Sequence, residues 1–242
     1  MKSSLFGDDQ EQRVESMIAA GRKIVDEALK AYRPVAVFAG WSGGNDSVVS
    51  THFACENYGA TAIHCNTMIG MKSSHEHARN VAAKFGWSYS EKIATPTGKP
   101  KRHRDGSPFN EANLHTGKWI DGETWYEEWC FNFGMPGPGQ HARMYQKLKE
   151  RSFEAWKREE KKGRPRNACV LIIAGIRHDE SSIRAGYKAD THKHKSTVWV
   201  NPFYWQSKRD FQCYRDEFGL PENKNSALIG ISGECLCGTD VS

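Results

Sequence analysis

Six residues, Ser42-Gly43-Gly44-Asn45-Asp46-Ser47, join the wholly apolar run Val35-Ala36-Val37-Phe38-Ala39 to a segment of helical character that begins at Val48. Paired glycines let backbone N–H groups approach an anion closely, and a helix N-terminus adds free donors and a favourable dipole. Ser42 and Ser47 supply hydroxyls for the same anion. The chemistry expected of this loop is therefore the binding of a phosphate or sulfate group. Asp46 is read as a helix cap, or as the group that orients a metal ion or a nucleotide. The spacing is neither G-x-x-x-x-G-K-S/T nor G-x-G-x-x-G, so it is neither a Walker loop nor a dinucleotide fingerprint.

A second set of chemically capable residues follows the most strand-like run of the chain, Ala168-Cys169-Val170-Leu171-Ile172-Ile173-Ala174. Gly175-Ile176-Arg177 then puts an arginine at the carboxyl end of a strand, where open α/β sheets bind ligands. Glu180 and Arg184 are spaced i,i+4, which suits either a surface ion pair or a ligand contact. Of the seven cysteines, Cys55, Cys65 and Cys169 fall inside helix or strand runs and are expected to pack as small hydrophobes. Cys130, Cys213, Cys235 and Cys237 fall near loops or helix ends, where thiolates can bind iron–sulfur or zinc.

These groups need a scaffold, and the pattern of the chain predicts one. Apolar positions Val14, Met17, Ile18, Val25, Ala28 and Leu29 lie on one face of a helix over 10–31, which Arg33-Pro34 ends. Strands are expected at 35–39, 61–65, 88–93, 168–174 and 197–200. Helices are expected at 48–57, 73–85, 119–133, 140–162 and 206–218. Strand–helix alternation with apolar strands predicts an α/β fold: a doubly wound, mostly parallel sheet with helices on both faces. One domain, 1–242, is divided into an N-terminal helix (1–33), a ligand-binding core (34–200) and a C-terminal helix with a small cysteine-containing tail (201–242). The basic run at 98–104 reads as a solvated loop or as a surface facing an anion or nucleic acid. The same two readings apply to Arg143, Lys147 and Arg151 on the helix after Pro136-Gly137-Pro138.

With 242 residues and 38% apolar composition, the chain can bury a sizeable core, which excludes wholesale disorder. Mean hydropathy of −0.70 and the lack of a long apolar run exclude a membrane span. No export leader is read at the N-terminus, and the odd cysteine count argues against a disulfide scaffold, so a cytoplasmic location is expected. A net charge of +5 favours anionic ligands.

Ser42 to Ser47 resembles the SGGxDS loop of the PP-loop, or adenine nucleotide alpha-hydrolase-like, superfamily, and within it the PAPS reductase family. Asn66-Thr67-Met68-Ile69-Gly70, followed by a helix and Phe85-Gly86-Trp87, is similar to that family's D-T-G segment. Gly175-Ile176-Arg177-His178-Asp179-Glu180-Ser181-Ser182-Ile183-Arg184 resembles its G-L/I/V-R-x-x-E/Q-S-x-x-R segment, and Gly233-Glu234-Cys235-Leu236-Cys237-Gly238 lies near the C-terminus. The chain departs from the family at Asn66 (for Asp), Met68 (for Gly) and Asn45 (often Lys).

The resemblance implies a nucleotide or phosphate site built from Ser42, Gly43, Gly44, Asn45, Asp46, Ser47, Asn66, Thr67, Gly175, Arg177, Glu180, Ser181 and Arg184. The implied ligand is ATP, APS or PAPS, with Mg2+ if ATP is the substrate. The implied activity is reductive release of sulfite, in which Cys235 or Cys237 attacks the sulfonucleotide and a thiol or thioredoxin-like donor resolves the adduct. A thiolate there would need a nearby cation such as Arg177. A second implied activity is ATP pyrophosphatase-type adenylation for sulfur insertion into a nucleic acid or small molecule. It would be assisted by a 4Fe–4S cluster on Cys130, Cys213, Cys235 and Cys237. A third reading is a nucleotide-binding module without catalysis.

Overall fold

The computed structural model describes residues 5–94, 125–180, 190–229, 233 and 235–237. Six strands form one sheet in the order β3-β2-β1-β4-β6-β5. They are β1 (Val37–Gly40), β2 (Thr61–Asn66), β3 (Tyr89–Ile93), β4 (Val170–Ile173), β5 (Thr191–His194) and β6 (Thr197–Val200). All neighbours are parallel except β5, which runs antiparallel to β6. Phe38 of β1 lies opposite Thr61 of β2 on one side and Ile172 of β4 on the other. From β1 the chain winds outward through β2 and β3; from β4 it winds the other way. The β1–β4 seam is thus the topological switch point, where open sheets gather ligands at the strands' carboxyl ends.

Side chains alternate along the strands, as a period of two requires. Ala39, Ala62, Leu171, Ile173, Val198 and Val200 enter one core with residues of α1 (Leu5–Tyr32) and α2 (Ser47–Tyr58). Phe38, Ile63, Cys65, Val170 and Ile172 face the other way, against Trp156. The first core is closed by α3 (Lys72–Lys84), through Ala78, Val81 and Ala82, and by α7 (Lys208–Phe218), through Phe211 and Tyr214. Helix ends follow local chemistry. Gly59 stops α2 at φ 58°, and α7 opens on a Ser207–Asp210 capping box and closes on Gly219 at φ 56°.

The helix expected at 140–162 is interrupted: α5 (His141–Tyr145) passes through a π-helical turn (Gln146–Glu150) into α6 (Arg151–Lys161). The apolar positions explain the turn. Met144 and Leu148 are four apart and Phe153 follows five later, a step that a π turn accommodates while keeping all three inward. The remaining helices are α4 (Trp125–Phe133) and α8 (Lys224–Ile229). Two elements lie outside the expected set. β5 is a polar edge strand, turned back onto β6 through Lys195 at φ 53°, and α8 is a short helix after α7.

Candidate functional site

The loop after β1 is shaped by its own side chains. Ser47 Oγ donates to Gly44 O (3.1 Å), so the 2.8 Å contact between Ser42 and Ser47 is a hydroxyl donated by Ser42. Gly43 has φ 77°, and a Cβ there would sit 3.0 Å from the Ser74 carbonyl oxygen, so conformation and space both require glycine. Trp41 is buried, with its indole N–H on Ala78 O at 3.0 Å, which fixes where the loop leaves the sheet. Asp46 does not cap α2: no side-chain cap bond forms there, and the first turn of α2 carries no acidic residue. No side-chain charge therefore offsets the dipole at this helix end, while the Val48 and Val49 N–H groups donate to Gly44 O and Asp46 O.

The Asp46 carboxylate instead accepts from Arg177 Nε at 2.9 Å, while Arg177 Nη1 donates to Asp179 at 2.5 Å. Arg177 is 6% exposed and lies 5.5 Å from the Phe211 ring centroid. The arginine expected to face an anion is thus a buried strut that ties the end of β4 to the loop after β1. Gly175 makes the approach feasible, since a Cβ there would lie 2.6 Å from Ser50 Oγ and 3.1 Å from Asp46 O. Glu180 ends a short 3-10 turn (His178–Glu180), and Ser181 and Arg184 lie outside the described residues.

At the end of β2, Asn66 Oδ1 accepts from Met68 N (3.0 Å) and Asn66 Nδ2 donates to Glu91 on β3 (2.8 Å). Glu91 also takes two bonds from Arg79, each 2.7 Å, and one from Tyr89 at 3.0 Å. Those bonds, the Arg79 pair foremost, hold its carboxyl down at about 2. An aspartate at 66 would face this carboxylate, so the amide is what Glu91 selects. Met68 holds φ 64° and is 48% exposed. Thr67 is fully buried beside it. His64, also fully buried, meets Trp41 O through Nδ1 and His75 Nδ1 through Nε2, both at 2.8 Å. A carbonyl only accepts, so His64 carries its proton on Nδ1 there.

The cysteines expected to form one ligand set separate. Cys130, Cys235 and Cys237 pack with Ile69, Ala94, Tyr126, Trp129, Met144 and Leu148. Tyr126 Oη donates to Cys237 O at 3.0 Å. Cys213 belongs instead to the main core, on α7. Its spacing near a helix end suggested a ligand, but α7 turns that thiol toward α1 and the core. Among the described residues no group of three or more His, Cys, Asp or Glu side chains is arranged to hold a metal ion. Burial pushes the Cys235 thiol up to about 12, and the cation that pulls against this is Lys149, not Arg177. Cys55, Cys65 and Cys169 pack as expected, with the Cys55 and Cys169 thiols donating to Ala60 O and Tyr32 O, both at 3.3 Å.

Sequence reasoning missed the C-terminal contribution. Asn223, 2% exposed, donates Nδ2 to Gly43 O at 2.7 Å, and its N–H donates to Asn45 Oδ1 at 2.8 Å. Further on, Gly233 O accepts from Met71 N at 2.8 Å. A Cβ on Gly233 would strike Ser74 Oγ at 2.7 Å, so the tail lies against the first turn of α3. No local signal marks Asn223, since its partners are 178 and 180 residues away.

No family model and no curated protein matches the sequence. Solved structures do match in fold. A phosphate complex of phosphoadenylyl-sulfate (PAPS) reductase from Candida auris aligns at TM-score 0.56 and 12% identity, over 94% of this chain and 93% of that one. The chain shares the α/β fold of that reductase. A second structure, the U34-tRNA thiolase NcsA from Methanococcus maripaludis with its 4Fe–4S cluster, aligns at TM-score 0.51 and 15% identity. That alignment covers 89% of this chain and 66% of that one. The Ser42–Ser47 segment lies between β1, a strand of the switch point, and α2. No helix among the described residues is long and apolar enough to cross a membrane.

Proposed function

We propose that this chain is a PP-loop enzyme of sulfur metabolism that binds an adenine sulfonucleotide, APS or PAPS, and releases sulfite. The observation that carries this reading is the course of the tail. Gly233 packs on Ser74, whose carbonyl packs on Gly43. Cys235 is two residues from that anchor, within about 7 Å along an extended chain. Nucleotide and tail thiols would then share one cleft.

The PP-loop amides and the N-terminus of α2 bind the phosphate or sulfate end of the ligand, and the Arg177–Asp46 strut holds that loop rigid against β4. Cys235 must give up a proton that burial holds on the thiol, and the Lys149 ammonium is the charge that favours the thiolate against that burial. The thiolate sulfur attacks the sulfonate sulfur, the bond from sulfur to the phosphate oxygen breaks, and the nucleotide leaves as AMP or its 3′-phosphorylated form. The enzyme then holds a cysteine S-sulfonate. A second thiol, from a small thiol or a thioredoxin-like donor, attacks the cysteine sulfur; sulfite leaves with the electron pair and a disulfide forms. Two thiols are oxidised and one sulfur is reduced from the sulfate to the sulfite level. The described thiols do not fit a 4Fe–4S cluster, with Cys213 in a separate core, so no step runs through one.

The test mixes fully reduced protein with APS or PAPS and follows sulfite and intact mass. Sulfite release, or an adduct about 80 Da heavier on Cys235, supports the reading. Pyrophosphate release from ATP without sulfite would replace it with an adenylating activity. Nucleotide binding without turnover would leave a binding module.

A further inference from the structure

We propose that Asn223 is a positioning residue for the PP-loop, and that through it the segment after α7 forms part of the anion site. This rests on the reading that an adenine nucleotide binds at the PP-loop. Its support is the set of bonds on the loop's outer side. Asn223 Nδ2 holds Gly43 O at 2.7 Å, and Arg215 Nη1 reaches Asn45 O at 3.4 Å. Asn45 Oδ1 accepts the Asn223 N–H at 2.8 Å, and Asn45 Nδ2 returns a bond to Asn223 O at 3.4 Å.

A trans peptide is planar, so its N–H points opposite its carbonyl. Fixing the carbonyls of Gly43 and Asn45 toward the C-terminal segment turns the N–H groups of Gly44 and Asp46 away from it. Those two amides belong to the turn that leads into α2. A phosphate or sulfate needs donors already oriented, because turning them at the moment of binding costs conformational entropy. Asn45 serves as the counterpart of Asn223. The loop is then oriented by amide–backbone bonds in place of a side-chain charge.

Asn223 does two jobs with different atoms, which makes the proposal separable from simple stability. Its Oδ1 accepts from Asn225 N (3.0 Å) and Ser226 N (3.4 Å) and so opens α8, while its Nδ2 serves the loop. Asn223→Asp keeps the acceptor that starts α8 and removes the donor to Gly43 O. Asn225→Ala keeps the loop contact and removes the 2.6 Å bond from the same segment to Ser73 on α3.

Calorimetric titration of the full chain with inorganic pyrophosphate, ATP, APS and PAPS provides the test, with thermal unfolding of each variant in parallel. Asn223→Asp is expected to raise Kd at least tenfold for the nucleotide that the wild type binds, with Asn225→Ala within twofold of wild type. Equal Kd for Asn223→Asp and wild type would overturn the proposal and leave the nucleotide reading standing. Equal weakening by both variants, in step with their unfolding temperatures, would also overturn it, since the segment would then act through stability alone. A wild-type chain that binds none of the four probes would remove the nucleotide reading, and the proposal with it.

Discussion

The loops after β1 and β2 leave neighbouring strands at the same edge of the sheet, and each contains a residue at positive φ. After β1 that residue is Gly43, pressed against Ser74 O; after β2 it is Met68, half exposed. The difference is one of crowding. Where backbone meets backbone, no side chain is tolerated. Where the turn opens outward, a side chain persists in the left-handed region because the Asn66 side chain holds the Met68 amide. The first loop is therefore fixed by space and the second by a single hydrogen-bonded side chain with its supporting carboxylate.

Removing the strut behind the first loop should have the largest effect. Arg177→Met leaves the part-buried Asp46 carboxylate without its partner, while half-exposed Asp179 turns to water, and about 2–3 kcal/mol of stability should be lost, read by urea unfolding. Gly43→Ala adds left-handed strain to a 3.0 Å approach to Ser74 O and should cost about 2 kcal/mol, read by urea unfolding. In the second loop the losses should be smaller and sensitive to pH. Asn66→Asp sets a carboxylate against Glu91 and should cost about 1–2 kcal/mol at neutral pH, most of it regained when Glu91→Gln is added. Glu91 is held below its ordinary value, so its stabilisation is present above pH 4.5 and should fade as pH falls toward about 2. Acid unfolding of Glu91→Gln should lack that component. Met68→Gly should change stability by less than about 1 kcal/mol, since relieved strain is offset by a more flexible unfolded chain. A cost for Met68→Gly as large as that of Gly43→Ala would break the contrast between the loops.

What could be read from sequence was local. The apolar strand, the paired glycines and the helix after them placed the loop between β1 and α2, and Gly175-Ile176-Arg177 placed the neighbouring strand end, because each signal lies within a few residues. The partners of those residues were not legible. Arg177 carries the same sequence signature whether it meets a ligand or Asp46. The amide at Asn66 looked like a departure from a family pattern until Glu91 on the adjacent strand gave it a reason. Asn223 and the separation of Cys213 from the other three thiols depend on contacts across most of the chain. β5 was missed because an edge strand with His192, Lys193 and His194 exposed has no apolar alternation to display.

That same edge strand decides how the molecule meets its neighbours. A sheet that grows by parallel addition ends here on a strand running backwards, and its exposed side chains, alternating between the two faces, are an imidazole, an ammonium and another imidazole. A second copy approaching edge to edge would have to pair its backbone across this cationic fringe. His192 is held below its usual value by burial and by His194, so the fringe gains part of its charge only on acidification. Self-association through this edge should become steadily less favourable as the medium is made more acidic.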